Sequence, residues 1–569
     1  MIPGVKRGDT IHYRDLITEV AKATYEGNLV ERIDLIPIEL CCEGRDTNLQ
    51  PTLEEDRSIS RLRLKAILGF DLKEEKGSEL DLKALAQQAL KRKTKEYIPL
   101  VAVAKEACHK CNQSKYYVTN SCEGCIARPC MLNCPTKAIS RINGKAVINP
   151  EKCIACGKCA SLCPYNAIHK KHIPCVEICP VGAVSKDEHG YSKIDFEKCI
   201  HCGKCMVNCP FNAILMPSQI VDVVNSIKNG RRVVAMLAPA ILGQFGGTVP
   251  QLHQALLNCG FHEMVEVAAG ADVTSLMEAE EFIAHVGSGK QPLMTTSCCP
   301  AFFQCVHKHA PKLAQFVSHT GSPMHYAAEL VKKRDPEAVT VFVGPCVAKR
   351  AEGLRRANVD FVLTAEELLC IFMAKNIEVA KVAVSEDPRK TREASREGTY
   401  YAVTQGVAAA VKDAVPAALS RLAKHGGEHI DPLVGPVSQL ESAKLDECSV
   451  KEDPNLADES SKAPVTPMPG KGESPEMASS SSTPSDAKPA VDYRPIYIAP
   501  LDRKAVNLLK QWGEKPETCP GNLVECMACD GGCVGGPGAV ALATLGKGRL
   551  TALYKQRIEF KDIEDVMAL

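Results

Sequence analysis

Three short segments can together do chemistry that none could do alone. They are Thr296-Ser297-Cys298-Cys299-Pro300, Gly344-Pro345-Cys346-Val347-Ala348-Lys349 and Cys529-Asp530-Gly531-Gly532-Cys533. Four of these cysteines suffice for one iron–sulfur cubane. Ligands drawn from three distant segments cost far more loop-closure entropy than the single short run that serves a simpler cubane. A fold that accepts that cost encloses its cluster in a cavity. Upstream, sixteen cysteines between Cys108 and Cys209 have the cadence of electron wiring. A wire beside an enclosed metal pocket points to redox catalysis.

The wire divides into four groups of four. The run C-x2-C-x2-C-x3-C-P gives three thiolates to one cubane and the fourth to its partner. Cys153, Cys156, Cys159 and Cys163 follow it, as do Cys199, Cys202, Cys205 and Cys209; Cys122, Cys125, Cys130 and Cys134 follow it with a longer central gap. Cys108, Cys111, Cys175 and Cys179 remain. Exchanging the trailing cysteines places Cys122, Cys125 and Cys130 with Cys163, and Cys153, Cys156 and Cys159 with Cys134. Cys199, Cys202 and Cys205 then take Cys179, leaving Cys108, Cys111, Cys175 and Cys209. Zinc is the alternative occupant of paired C-x-x-C, above all at Cys108 and Cys111.

Alternating strand-like and helix-like stretches must position the pocket. Arg232–Leu237 runs into Ala238-Pro239, Val339–Val343 into Gly344-Pro345-Cys346, and Leu293–Thr296 into the two adjacent cysteines, with Pro300 suited to open a helix. This predicts an α/β fold with two lobes and ligands at strand ends. It would be preceded by a ferredoxin-like α+β domain over 101–218 and a helical N-terminal region over 1–100. The catalytic domain would comprise 219–440 and 494–569. Between them, residues 441–493 hold ten Ser and seven Pro, a composition expected to be disordered, with Cys448 a free thiol.

With 29 cysteines in 569 residues, clustered and odd in number, a disulfide framework fails and a reducing, cytoplasmic setting fits. Organelle targeting stays open. Net charge of +1 carries no footprint of nucleic acid, and no apolar run is long enough for a membrane span.

The three motifs, in their order, resemble the signatures of [FeFe] hydrogenases, in the wording of a divergent branch. The resemblance implies an H-cluster: a cubane held by Cys299, Cys346, Cys529 and Cys533, bridged through Cys533 to a two-iron unit with CO, cyanide and a dithiolate amine. It implies Lys349 as a cyanide hydrogen-bond donor and Cys298 as a proton-relaying thiol. Glu278, Glu281 and Ser318 stand at the spacings of the family's proton relay, and Glu352 is a second candidate carboxylate. A partly buried carboxyl should have its pKa raised toward the working range, whereas Glu280 should be a solvated neighbour. Glycines around Cys533 should let backbone approach the cluster. Gly344, Phe302, Ala240 and Met324 depart from the usual Met, Trp, Ser and Gln. The implied activity is reversible formation of H2 from protons and electrons, with four accessory [4Fe-4S] clusters, a soluble donor such as ferredoxin, and maturation proteins as partners. The alternatives are a hydrogen-sensing regulatory member and a non-catalytic, hydrogenase-like iron–sulfur assembly protein; Cys298, Lys349 and Glu352 together argue against the latter.

Overall fold

The computed structural model describes residues 8–42, 52–72, 76–92, 95, 100–108, 111, 116–170, 172–385, 394–426, 430–431, 435–436 and 491–559. Cys448 and nearly all of the Ser/Pro-rich stretch lie outside the described residues. The fold is α/β, built on two parallel sheets.

The larger sheet contains β1 (Val233–Leu237), β2 (Glu263–Glu266), β4 (Val339–Val343) and β5 (Phe361–Leu363), in the order β2-β1-β4-β5. Every residue of β1 and β4 is buried. Such continuous apolar runs belong to strands covered on both faces. The smaller sheet contains β3 (Met294–Thr295), β6 (Pro495–Ile498) and β7 (Leu523–Cys526), in the order β3-β7-β6. Met294 pairs with Leu523, so the first and third cysteine motifs leave one sheet side by side. The second motif leaves the other sheet, at the end of β4.

Five helices frame the pocket. Of these, α1 (Val267–Phe282) is buried along all sixteen residues. It packs between α3 (Pro323–Arg334) and α5 (Gly406–Lys424). The approach to α3 is close enough that a Cβ on Gly270 would fall 2.2 Å from the Pro323 carbonyl oxygen. Pro300 opens α2 (Pro300–His309), its missing N–H being one that no helical carbonyl would have met. The fifth, α4 (Ala348–Arg355), begins just after Cys346.

The N-terminal helix Gly8–Glu26 packs on helices Ile220–Lys228 and Ala365–Ala374, with Arg14 bonded to Glu366 at 2.9 Å. Its apolar residues share one core with the larger sheet. The N-terminal helices are therefore an outer layer of that lobe rather than a free-standing cap.

The cysteine-rich region is built differently. It holds two-stranded antiparallel ribbons (Tyr116–Val118 with Ile168–Lys170, Ile139–Ile142 with Lys145–Ile148, Val184–Lys186 with Ser192–Ile194) and helices of four or five residues. The core around Cys130 and Cys159 adds only Ile139, Ala146 and Ile168 as fully buried apolar residues. So small a core offsets little of the entropy of ordering this stretch.

Candidate iron–sulfur sites and active pocket

Each trailing cysteine of the wire opens the same turn. In Cys134-Pro135-Thr136-Lys137-Ala138 the Ala138 N–H donates to Cys134 Sγ at 3.3 Å, with Lys137 at φ 51°. Ala167, Ala183 and Ala213 donate likewise to Cys163, Cys179 and Cys209 at 3.4, 3.2 and 3.4 Å. Asn166, Gly182 and Asn212 take the positive φ. Amide donors aimed at sulfur stabilise thiolate and tune cluster potential. The pattern Cys-Pro-x-x-Ala is present in all four runs and was legible in the sequence.

The cysteines gather across the repeats. Cys130 faces Cys125 and Cys163. Cys134 lines one cavity with Cys153, Cys156 and Cys159. Cys179 stands beside Cys199, Cys202 and Cys205. Cys209 faces Cys108 and Cys175, and Ser192 lies 3.3 Å from Cys108 Sγ and 3.4 Å from Cys175 Sγ. Cys111 follows Cys108 by three residues.

The three cysteine segments meet between the two sheets. Cys298, Cys299, Cys346, Lys349, Cys529 and Cys533 line one cavity. Cys202 of the wire lines it as well, so the inner end of the wire abuts the pocket. The glycines of the third motif answer to the protein's own backbone. A Cβ on Gly532 (φ 92°) would fall 2.7 Å from Ala402 O, and one on Gly536 2.3 Å from Pro345 O. Gly536 lets the third motif lie directly on the second.

Lys349 is buried, and its Nζ donates to Glu352 Oε2 at 2.7 Å. Burial alone would lower its pKa; the Glu352 carboxylate outweighs it and keeps the ammonium charged. Glu352 also accepts from Ser322. Lys349 in turn pulls the Glu352 pKa down against its burial. Glu352 thus sits as the counter-ion of Lys349, apart from the other two carboxylates.

Those two differ sharply. Glu278 is fully buried, accepts from the Ser297 N–H at 3.1 Å through Oε1, and has no partner for Oε2 among the described residues. Burial pushes its pKa up to about 8. Glu281 is buried too, yet accepts from Ser318 Oγ at 2.6 Å, from the His319 N–H at 2.9 Å and from Thr320 Oγ1 at 3.1 Å. Burial is overcome by this donor set, His319 foremost, and the pKa falls to about 2. The expected rise therefore holds for Glu278 and fails for Glu281. Glu280 also differs from expectation: it is 1% exposed and lies 3.5 Å from Arg421 of α5. A helix buried on every side has no solvated face, which is why helical spacing alone misplaced it.

Cys298 is not an ordinary thiol, since burial and then the Glu278 carboxylate raise its pKa well above the usual range. Three neighbours were not singled out from the sequence. Tyr401 is 5% exposed, packs against Cys298 and leaves its hydroxyl without a hydrogen-bond partner among the described residues. Glu525, just before Cys526, accepts from the Gln405 and Ala408 N–H groups, and burial raises its pKa to about 7. Ser297 Oγ donates to Thr320 O at 2.8 Å, tying the cysteine loop to the Ser318 loop. Cys259, Cys305, Cys370 and Cys526 are core residues.

The fold and site gather cysteines into sets suited to iron–sulfur ligation, and comparison with known proteins specifies the family. The family described as iron only hydrogenase large subunit, C-terminal domain, matches residues 231–537. The 4Fe-4S binding domain matches residues 146–169 and 192–215. The chain belongs to the iron-only, or [FeFe], hydrogenase family. It is 32% identical over 287 residues to the periplasmic [Fe] hydrogenase large subunit of Nitratidesulfovibrio vulgaris, covering 46% of this chain and 65% of that one. It is 26% identical over 309 residues to iron hydrogenase 1 of Clostridium pasteurianum, covering 49% and 53%. The chain thus spans between half and two thirds of these relatives. A solved apo [FeFe]-hydrogenase from Chlamydomonas reinhardtii aligns over 60% of this chain and 89% of that one, at 19% identity and TM-score 0.38. No helix among the described residues is long and apolar enough to cross a membrane.

Proposed function

We propose that this chain is a hydrogenase in activity as well as in family, interconverting H2 with protons and electrons. The observation that carries the reading is the single cavity lined by cysteines from three distant segments together with Cys298 and Lys349. The donor set fits the family's cofactor: Cys299, Cys346, Cys529 and Cys533 would hold the cubane, and Cys533 would bridge to the two-iron unit. When bound, that unit supplies the metal at which hydrogen reacts. Lys349, held charged by Glu352, offers an ammonium to an anionic ligand. Cys298 holds a proton at Sγ, and Glu278, neutral near pH 7, can renew it. Ser318 and Glu281 continue the route outward. The apolar lining keeps bulk water from the reacting atoms.

Sixteen cysteines would hold four accessory [4Fe-4S] clusters and carry electrons to Cys202 at the cavity wall. A soluble donor of ferredoxin type suits the outer end. Residues 116–170 hold seven Lys or Arg against two Asp or Glu. Ile126 is 95% and Leu132 80% exposed, and Cys156 is exposed as well. An excess of basic residues on a segment with exposed apolar side chains favours an acidic carrier. Maturation proteins would build the two-iron unit in a reducing compartment such as the cytoplasm. The test is infrared spectroscopy of anaerobically matured protein with an iron count. CO and cyanide bands and about 22 iron atoms are expected, five cubanes and one two-iron unit. Absence of the bands after maturation that activates a known hydrogenase would overturn the reading.

A further inference from the structure

Tyr401 lines the cavity, and the proton relay does not use it. Its side chain is buried, and its hydroxyl has no hydrogen-bond partner among the described residues. A buried hydroxyl left unpaired costs free energy that a phenylalanine ring in the same place would not. The ring lies among Ala271, Val407, Ala410 and Met527, all apolar, and Cys298 packs against the same patch. Cys298 is the group with which the hydroxyl is placed to pair, whereas the Glu278 and Glu525 carboxylates act on it through their charge.

The fold holds Tyr401 from behind. Its turn is bound to the third cysteine motif: the Thr404 N–H donates to Gly531 O at 3.4 Å, and Val403 bridges Gly532. Glu525 of β7 accepts from the Gln405 and Ala408 N–H groups at 2.7 and 2.9 Å. The Cys298 side chain is less constrained. Its loop is fixed at Ser297, which donates to Glu278 through N–H and to Thr320 O through Oγ. The apolar patch gives Sγ itself no preferred direction, and a cysteine side chain has three staggered positions to choose from.

We propose that Tyr401 is a positioning residue for Cys298, its O–H donating to Sγ so that the thiol is held with its hydrogen toward the cavity. The inference rests on the hydrogenase reading above. Sulfur is a weak acceptor, so the bond orients the thiol without competing for its proton. Tyr401 carries no proton in the reaction, since a phenol of ordinary pKa about 10 keeps its own. It acts through Cys298 alone.

The test is Tyr401→Phe in the full chain, which keeps the ring and its packing and removes one oxygen. In matured protein the CO and cyanide bands and the iron content should persist, while kcat for H2 falls about 10-fold and KM for H2 stays unchanged. An unchanged kcat overturns the proposal. Loss of the bands overturns it too, because Tyr401 would then be part of the cofactor's seat. A second measurement needs no metal centre. In apo protein, subtracting the infrared spectrum of Cys298→Ala isolates the S–H stretch of Cys298, and the same subtraction is made in the Tyr401→Phe background. The stretch should shift when the hydroxyl is removed, and an unmoved stretch also overturns the proposal. CO and cyanide bands missing from matured wild type would instead sink the hydrogenase reading, with the apo measurement still deciding whether Tyr401 holds the thiol.

Discussion

The wire and the pocket both gather cysteines, but by opposite means. In the wire, each trailing cysteine carries its own turn, an αL residue and an alanine amide aimed at sulfur, within five residues. In the pocket, ligands arrive at the carboxyl ends of strands in two different sheets, and although the Ala348 and Lys349 amides bear on Cys346, no single local turn brings the four together. A local site can be copied along a chain and tolerates a small core. A site assembled from distant segments needs the whole lobe to be folded, and in return can be closed and dry.

Removing one ligand from each region should expose the contrast most strongly. Cys346→Ser is expected to abolish H2 turnover and the infrared bands while the accessory clusters remain, seen as retained visible absorption and reduced-cluster EPR signals. Cys108→Ser should delete one cubane, about four irons, and leave the infrared bands in place. Loss of the bands in Cys108→Ser would show that the two regions fold as one unit.

Within the pocket, Glu278→Gln should lower turnover by about 100-fold or more with iron content unchanged. Wild-type turnover in this variant would mean that protons reach Cys298 by another route. Glu280→Gln, which removes the carboxylate facing Arg421, should cost about 2 kcal/mol of stability with little change in turnover per folded molecule. Denaturant titration of the apo protein reads the first quantity.

The smallest effect is the pH dependence of stability. Glu278 has a folded pKa of about 8, above its unfolded value, so its contribution is full below pH 4 and is lost as pH rises through about 8. Glu281, at about 2, contributes above pH 4 and loses that contribution as pH falls through about 2. Between pH 5 and 8 Glu281 is silent, Glu525 adds a dependence of the same sign up to about pH 7, and Glu278 by itself gives a slope of at most about 1.4 kcal/mol per pH unit. Urea midpoints of apo protein should therefore decline with pH in wild type and decline less in Glu278→Gln. Equal slopes would place the proton of Glu278 elsewhere.

Much of this was readable from residue types and spacing. The cadence of the sixteen upstream cysteines, the strands entering the three motifs and the helix opened by Pro300 all follow from local rules, because ligand turns and strand runs are short-range features. Helical spacing rightly put Glu278 and Glu281 on one helix, and the helical spacing over Leu16–Tyr25, inside the observed helix Gly8–Glu26, was equally visible. Its merger with the core of the larger sheet was not, since packing partners lie more than 200 residues away.

Protonation was decided by tertiary structure alone. Glu278 and Glu281 are the same residue type on the same helix, yet burial without enough donors raises one carboxyl, while the 318–320 loop, brought across by the fold, lowers the other. Glu280 looked solvated until α5 covered it with Arg421. His319, Tyr401 and Glu525 gain their places only when loops far apart in sequence meet around Cys298. The sequence by itself determined which thiols are available to metal and at what spacing, because thiolate chemistry and short spacings are intrinsic to the chain. Where protons rest and where they leave depended on desolvation and on donors from other segments, and those exist only in the folded protein.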